Sequence, residues 1–209
     1  MGLPVEVPGL DTIIPQLADG KVFVAESGPD GVKSFFVRTL ARTALRSGRS
    51  VTFVTSLNGP EISHDLVNGG SGAAPLDNSL NVLERDSLAG WEEHESLRGL
   101  LVVDSFSFLT LDLPIQQLSN LLRRFRAVAN AQGLTVVLAT DRGMYDGRAD
   151  AILGHLTDGW IQFNTKEGPE GLTRYLRIPK WTEGMLVDRN IYYDFDGKRL
   201  AIDLRRRVL

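Results

Sequence analysis

The residues best suited to chemistry lie in one short segment, Ser27–Ser34, which reads SGPDGVKS. An apolar, β-branched run precedes it and an amphipathic run follows it, so the segment is predicted to join a strand to a helix. In such a turn, backbone N–H groups bind phosphate oxygens, a following lysine reaches the outer phosphates, and the next serine binds Mg²⁺. Gly28, Gly31, Lys33 and Ser34 are therefore candidate residues for holding ATP or ADP with Mg²⁺.

The same segment departs from the usual phosphate-loop pattern, G-x-x-x-x-G-K-[ST]. When the pattern is aligned on Lys33, Ser27 and Val32 stand where it has glycines. A β-branched residue resists the positive φ or the close backbone approach that glycine supplies, so we expect Val32 to disturb the loop. Asp30 adds a carboxylate where phosphate oxygens would lie. The alternative interpretation is an ordinary glycine-containing turn before a helix.

A second candidate residue, Asp104, follows the apolar run Leu100–Val103. A carboxylate at the carboxyl end of a buried strand, about 70 residues after a phosphate loop, is typical of the group that holds Mg²⁺. An aspartate that simply closes a strand and caps the next turn is the alternative.

The elements around these residues alternate between strands and helices. Short apolar, β-branched runs predict strands, and apolar residues at helical spacing predict helices. The predicted strands are Lys21–Glu26, Ser50–Thr55, Leu80–Leu83, Leu100–Asp104 and Leu134–Ala139, and the predicted helices are Lys33–Ser47 and Pro114–Ala131. This alternation predicts an α/β fold with a mostly parallel central sheet and helices on both faces.

The last quarter of the chain lacks the helical pattern. The predicted strands there are Gly159–Phe163, Leu172–Ile178, Ile191–Asp194 and Leu200–Leu204, with a hairpin turn at Asp196-Gly197. We therefore predict one domain over residues 1–209, with a core at about 8–165 and antiparallel strands at about 166–209. The glycine-rich stretch Asn68–Pro75 is predicted to be a surface loop.

Composition excludes several classes of protein. The chain has no cysteine, which excludes thiolate zinc sites and thiol nucleophiles, and its net charge is −3. His64, His94 and His155 lack ligand spacing, so we expect no metal site of histidines, with His155 structural and the other two solvated. No apolar run is long enough to span a membrane, and we expect a cytoplasmic protein with no membrane partner.

Taken together, the motifs resemble a KaiC-like domain of the RecA superfamily. The resemblance extends from Pro8 to about Asp203 and depends on the order and spacing of several segments. These segments are Pro8–Asp11, Leu17–Gly20, Val22–Ser34, Val51–Leu57, Leu101–Ser105, Thr135–Asp141, His155–Gly159 and Arg177–Lys180. It implies a RecA-like fold with the P-loop at Val22–Ser34 and the Walker B aspartate at Asp104.

The resemblance also implies an ATPase that forms rings or dimers, with nucleotide at the subunit interface. Where the family has paired glutamates, one of which serves as general base, this chain has Ser56-Leu57-Asn58-Gly59. Where the family has the basic finger K-x-R, the chain has Lys180-Trp181-Thr182, so the arginine is missing. Lys180 and the nearby Arg177 are the residues that the resemblance places at a subunit interface.

The chain departs from the family in three features: the phosphate loop, the general base and the basic finger. Together these departures favour a regulatory or scaffolding subunit that does not hydrolyse ATP. Its partners would be further copies of itself or a related, active RecA-like ATPase. One alternative is a weak ATPase or nucleotide sensor, in which Glu61 replaces the missing base. Another is a nucleic-acid-binding module that uses Arg123, Arg124 and Arg126, which the net charge makes the weakest of the three.

Overall fold

A computed structural model describes residues 2–69, 79–88, 97–169, 171–181 and 187–203 of the chain. The strands are β1 (Leu3–Pro4), β2 (Gln16–Leu17), β3 (Val22–Ser27), β4 (Val51–Thr55), β5 (Leu80–Glu84), β6 (Leu100–Val103), β7 (Thr135–Asp141), β8 (Gly159–Gly168), β9 (Gly171–Lys180), β10 (Val187–Phe195) and β11 (Leu200–Ile202). The helices are α1 (Val32–Arg46), α2 (Gly59–Asn68), α3 (Phe106–Leu109), α4 (Ile115–Gln132) and α5 (Gly147–Leu156).

Nine of the strands form one sheet, in the order β11-β10-β9-β8-β3-β7-β6-β4-β5. From β8 to β5 all neighbouring strands are parallel, and β8, β9, β10 and β11 pair antiparallel. The predicted parallel sheet with an antiparallel C-terminal extension is confirmed. The same sheet runs through both predicted parts of the domain, and the exact division at residue 165 stays a prediction.

Helices cover both faces of the sheet, as predicted. On one face α1 buries Phe36, Val37 and Leu40 against the sheet, together with the N-terminal β1–β2 hairpin. On the other face α4 buries Leu118 and its neighbours with α5. Each of the central strands β3 and β6 is buried along its whole length, because both of its faces are covered.

Three helices and one hairpin were not anticipated. Helices α2, α3 and α5 and the β1–β2 hairpin come from segments whose periodicity is short or weak. The predicted loop Asn68–Pro75 begins differently, because Asn68 is the last residue of α2 and Gly69 follows it. The rest of that loop, from residue 70, lies outside the described residues, as does Leu204 at the end of the last predicted strand.

Candidate functional site

The predicted phosphate loop lies between β3 and α1, at the carboxyl edge of the parallel sheet. Gly31 has a φ of 76°, in the left-handed region that favours glycine, and it directly precedes the helix. Val32 is already the first helical residue and is fully buried. Our expectation that Val32 would meet a positive φ is wrong, since that conformation falls on Gly31 instead.

The carboxylate of Asp30 is hydrogen-bonded to the backbone of this loop. Its Oδ1 accepts a hydrogen bond from the Val32 N–H at 3.3 Å. Its Oδ2 accepts another from the Thr165 hydroxyl at 3.3 Å, which links the loop to β8. One amide at the helix N-terminus, of the kind that binds a phosphate oxygen, is thus already bonded to a protein carboxylate.

Lys33 forms an ion pair inside the molecule. Its Nζ lies 2.6 Å from Asp141 Oδ1, and its side chain is only 10% exposed. Asp141 is itself held in place, because the Ser107 hydroxyl donates to Oδ2 at 2.9 Å and accepts from the Asp141 N–H at 2.9 Å. The contact arises because β3 and β7 are parallel neighbours, with Ser27 opposite Asp141. The positively charged group expected to reach phosphates is therefore paired with a fixed carboxylate.

Asp141 was not among the predicted site residues. The available signal was its position directly after the apolar run of β7, at the same sheet edge as the loop and Asp104. Ser107, which fixes Asp141, gave no signal in the sequence.

Two of the predicted site residues, Asp104 and Ser34, lie next to each other. The Ser34 hydroxyl donates to Asp104 Oδ1 at 3.4 Å. Asp104 is 1% exposed, and burial raises the pKa of its carboxyl group, against the opposing effect of the positive charges of Lys33 and Arg38. Within the described part of the chain, Asp104 Oδ2 has no hydrogen-bond partner. A hydroxyl beside a buried carboxylate with a free oxygen fits the oxygen ligands that Mg²⁺ prefers.

An open cavity of about 630 Å³ adjoins Ser34 and the loop. It lies between the outer face of α1, the α2 helix and the β10–β11 turn, and it combines two aromatic rings with several cations. Phe35 and Phe195 pack with ring centroids 5.5 Å apart. The lining residues are Asp30, Gly31, Ser34, Phe35, Arg38, Arg42, Asp65, Gly69, Phe195, Gly197 and Lys198.

Two arginines in this cavity share one carboxylate. Arg38 Nη1 lies 3.3 Å from Asp65 Oδ2, and Arg42 Nη2 lies 2.9 Å from Asp65 Oδ1. The cavity is therefore cationic on balance, since Lys198 adds a further positive charge. Its size lies in the range of roughly 300–1,000 Å³ that is usual for small-molecule sites.

The residues that the resemblance places at the base position have structural contacts. Asn58 caps α2, with its side-chain oxygen accepting the Glu61 N–H at 3.3 Å. The Gly59 N–H donates to Glu84 Oε2 at 2.8 Å. Glu61, the suggested replacement base, is exposed in the first turn of α2.

The predicted interface residues lie in different surroundings. Lys180 Nζ donates to the carbonyls of Gly154 (2.8 Å) and His155 (3.2 Å), at the C-terminal end of α5. Burial lowers the pKa of this ammonium group. Arg177 is exposed on β9, and Thr182 lies outside the described residues.

The described histidines and the arginines of α4 lie at the surface. His64 is exposed as expected, His155 is exposed rather than structural, and His94 lies outside the described residues. No cluster of three metal-binding side chains occurs in the described segments.

The α4 arginines Arg123, Arg124 and Arg126 are exposed, and Arg126 lies 3.8 Å from a carboxylate oxygen of Asp158. In the part of the chain described, no helix has both the length and the apolar character needed to cross a membrane.

The matches to known proteins are matches of structure and not of sequence. No protein-family model matches the sequence, and no curated protein matches it. The flagellar accessory protein FlaH from Methanocaldococcus jannaschii superposes with a TM-score of 0.76 and 16% identity, over 97% of this chain and 98% of that one. A KaiC-like protein from Pyrococcus horikoshii OT3 gives a TM-score of 0.77 and 16% identity, over 97% of this chain and 99% of that one. These near-complete superpositions confirm the predicted fold, which this chain shares with the KaiC-like protein and with FlaH.

Proposed function

We propose that this chain is a non-hydrolysing regulatory or scaffolding subunit that associates with itself or with a related, active RecA-fold ATPase. The observation that carries the proposal is the role of Asn58, which stands at the base position and caps α2 through the Glu61 N–H. An amide cannot accept a proton from water at neutral pH, and this one is already used as a helix cap. Without a general base, attack of water on a phosphate loses one of its main sources of acceleration.

Two further contacts support the same proposal. Lys33 pairs with Asp141 rather than standing free for phosphate, and Lys180 donates to the carbonyls that end α5. Loss of a trans cation costs phosphoryl-transfer enzymes about 10³-fold or more. Each change removes a separate contribution to the transition state, so together they favour a domain retained for its surfaces.

The assembly part of the proposal is tested by light scattering of the purified chain without nucleotide. We expect an oligomer at micromolar concentration. Arg177→Glu should dissociate it, because Arg177 is exposed on the strand that the resemblance places at the interface. Arg123→Glu is the matched control, with the same charge change at an exposed position on α4. A strict monomer would contradict self-association, and equal effects of both variants would contradict this interface.

A second candidate function is nucleotide sensing, and the Ser34–Asp104 contact at 3.4 Å favours it. Ser34 and Asp104 would hold Mg²⁺, and the adjoining cavity would take the nucleotide. The test is calorimetric titration with nucleotide and Mg²⁺, with Asp104→Asn as the variant that removes a metal-binding charge. Binding that is independent of Mg²⁺ and unchanged in Asp104→Asn would contradict this role for the pair.

A further inference from the structure

Two carboxylates of this chain already pair with donors at the phosphate loop, one from the loop itself and one from the end of β7. Asp30 Oδ1 accepts the Val32 N–H at 3.3 Å, and Asp141 Oδ1 lies 2.6 Å from Lys33 Nζ. In a phosphate loop these two donors, the helix N-terminal amide and the lysine, bind the outer phosphates. Both donors are therefore neutralised where the terminal phosphates of a triphosphate would lie.

Neither carboxylate is a loosely placed surface group. Asp141 exchanges two hydrogen bonds of 2.9 Å with Ser107, and Asp30 is also bonded to Thr165 on β8. Displacing them means breaking several hydrogen bonds to charged groups, each of which is stronger than a neutral one. A terminal phosphate would also meet two negative charges at close range.

The other cations line the cavity: Arg38 and Arg42 lie on α1, and Lys198 lies in the turn between β10 and β11. The two arginines pair with Asp65, and Asp30 is the other carboxylate in the lining. The rings of Phe35 and Phe195 lie in the same cavity and offer apolar surface for a base. The site therefore favours a ligand with a small negative charge near the cavity and disfavours a ligand that places a large negative charge at the loop.

From this distribution of charge we infer that the site binds a nucleoside monophosphate more tightly than the corresponding triphosphate, with Asp141 as the residue that sets the preference. The inference rests on the second candidate function, nucleotide binding, and names its ligand class. It reverses the order that a phosphate loop with a free lysine would show.

Calorimetry with AMP, ADP and ATP at constant Mg²⁺ and 0.15 M salt tests the inference. We expect affinity to fall about tenfold from AMP to ATP. Asp141→Asn removes one carboxylate and frees Lys33, so affinity for ATP should rise about tenfold to a hundredfold, the range of one charge-assisted hydrogen bond. Affinity for AMP should change far less, and the order of the two ligands should reverse.

Asp65→Asn is the matched control, because it removes the same charge from the cavity end of the site. It should raise affinity for both ligands and leave the ATP-to-AMP ratio unchanged. Asp30→Asn provides a second variant near the loop, with the same direction expected as for Asp141→Asn. Tighter binding of ATP than of AMP by the wild-type chain would overturn the inference but leave nucleotide binding intact. Failure of all three ligands to bind at millimolar concentration would overturn both. A ratio that shifts equally in Asp65→Asn would overturn the role of Asp141.

Discussion

Replacing Asp104 with asparagine should stabilise the folded protein at neutral pH. The Asp104 side chain is 1% exposed, and its Oδ2 has no hydrogen-bond partner among the described groups. A buried polar group left without a partner costs about 1–3 kcal/mol, and more when it is charged. Asparagine keeps the shape and removes the charge, so we expect a gain of about 1–2 kcal/mol. For a chain of this size each kcal/mol raises Tm by roughly 2–4 °C.

The gain should depend on pH in a defined direction. Burial raises the pKa of the Asp104 carboxyl group above its usual value of 3.8, so the folded state holds this proton more tightly than the unfolded state. The wild-type chain therefore loses stability as the pH rises through that range, and the loss is complete above the raised pKa. The advantage of Asp104→Asn should be larger at pH 7 than at pH 4.

Urea unfolding of the wild-type chain and of Asp104→Asn at pH 7 and pH 4 measures this difference in stability. Asp196→Asn is the control, because its effect on stability should have the opposite sign. The N–H groups of Lys198 and Arg199 donate to Asp196 and lower the pKa of its carboxyl group. Asp196 therefore adds stability above pH 3.8 that is lost only on further acidification, so Asp196→Asn should destabilise the protein at both pH 7 and pH 4. A loss of stability in Asp104→Asn at pH 7, or a gain that is equally large at pH 4, would refute this account of Asp104.

Three further predictions concern a helix cap, a residue with positive φ and a buried carboxylate. Asn58→Ala should destabilise the protein by about 1 kcal/mol in urea, since it removes the cap of α2; no loss would mean that the cap is not formed in solution. Ser105→Gly should stabilise it by about 1 kcal/mol, because Ser105 has a φ of 69° that glycine adopts without strain; a lower Tm would contradict this. Glu26→Ala should cost about 3 kcal/mol, since the buried Trp160 indole and Gln162 amide donate to Glu26 at 3.0 and 2.9 Å; near-wild-type unfolding would show that water replaces the carboxylate.

The sequence was informative wherever one local pattern dominates. Strands β3, β4, β6 and β7 are short apolar runs, and α1 and α4 repeat apolar residues at helical spacing. Helix α2 was missed because it begins with Gly59-Pro60 and has only three buried positions in its 10 residues. Helix α5 was missed for a similar reason, since it buries only Ala149, Leu153 and Leu156.

The residues of the site divide in the same way, into those marked by a local sequence motif and those brought together only by the fold. Lys33, Ser34 and Asp104 were predicted as candidate site residues because a phosphate loop and a strand-ending carboxylate are local motifs. The partner of Lys33 was not, because Asp141 lies 108 residues away and meets Lys33 only because β3 and β7 are neighbours in the sheet. The pairing of Lys180 with the end of α5 is likewise set by packing.

The most direct test of the central claim is a single-turnover assay with the chain in excess over labelled ATP and Mg²⁺. Such an assay detects even one slow hydrolytic event per site, so it separates weak catalysis from none. We predict phosphate release no faster than in buffer alone, because the base position holds the capping residue Asn58 and Lys33 is paired with Asp141. Mg²⁺-dependent release that disappears in Lys33→Ala would contradict the account and identify the chain as a working ATPase.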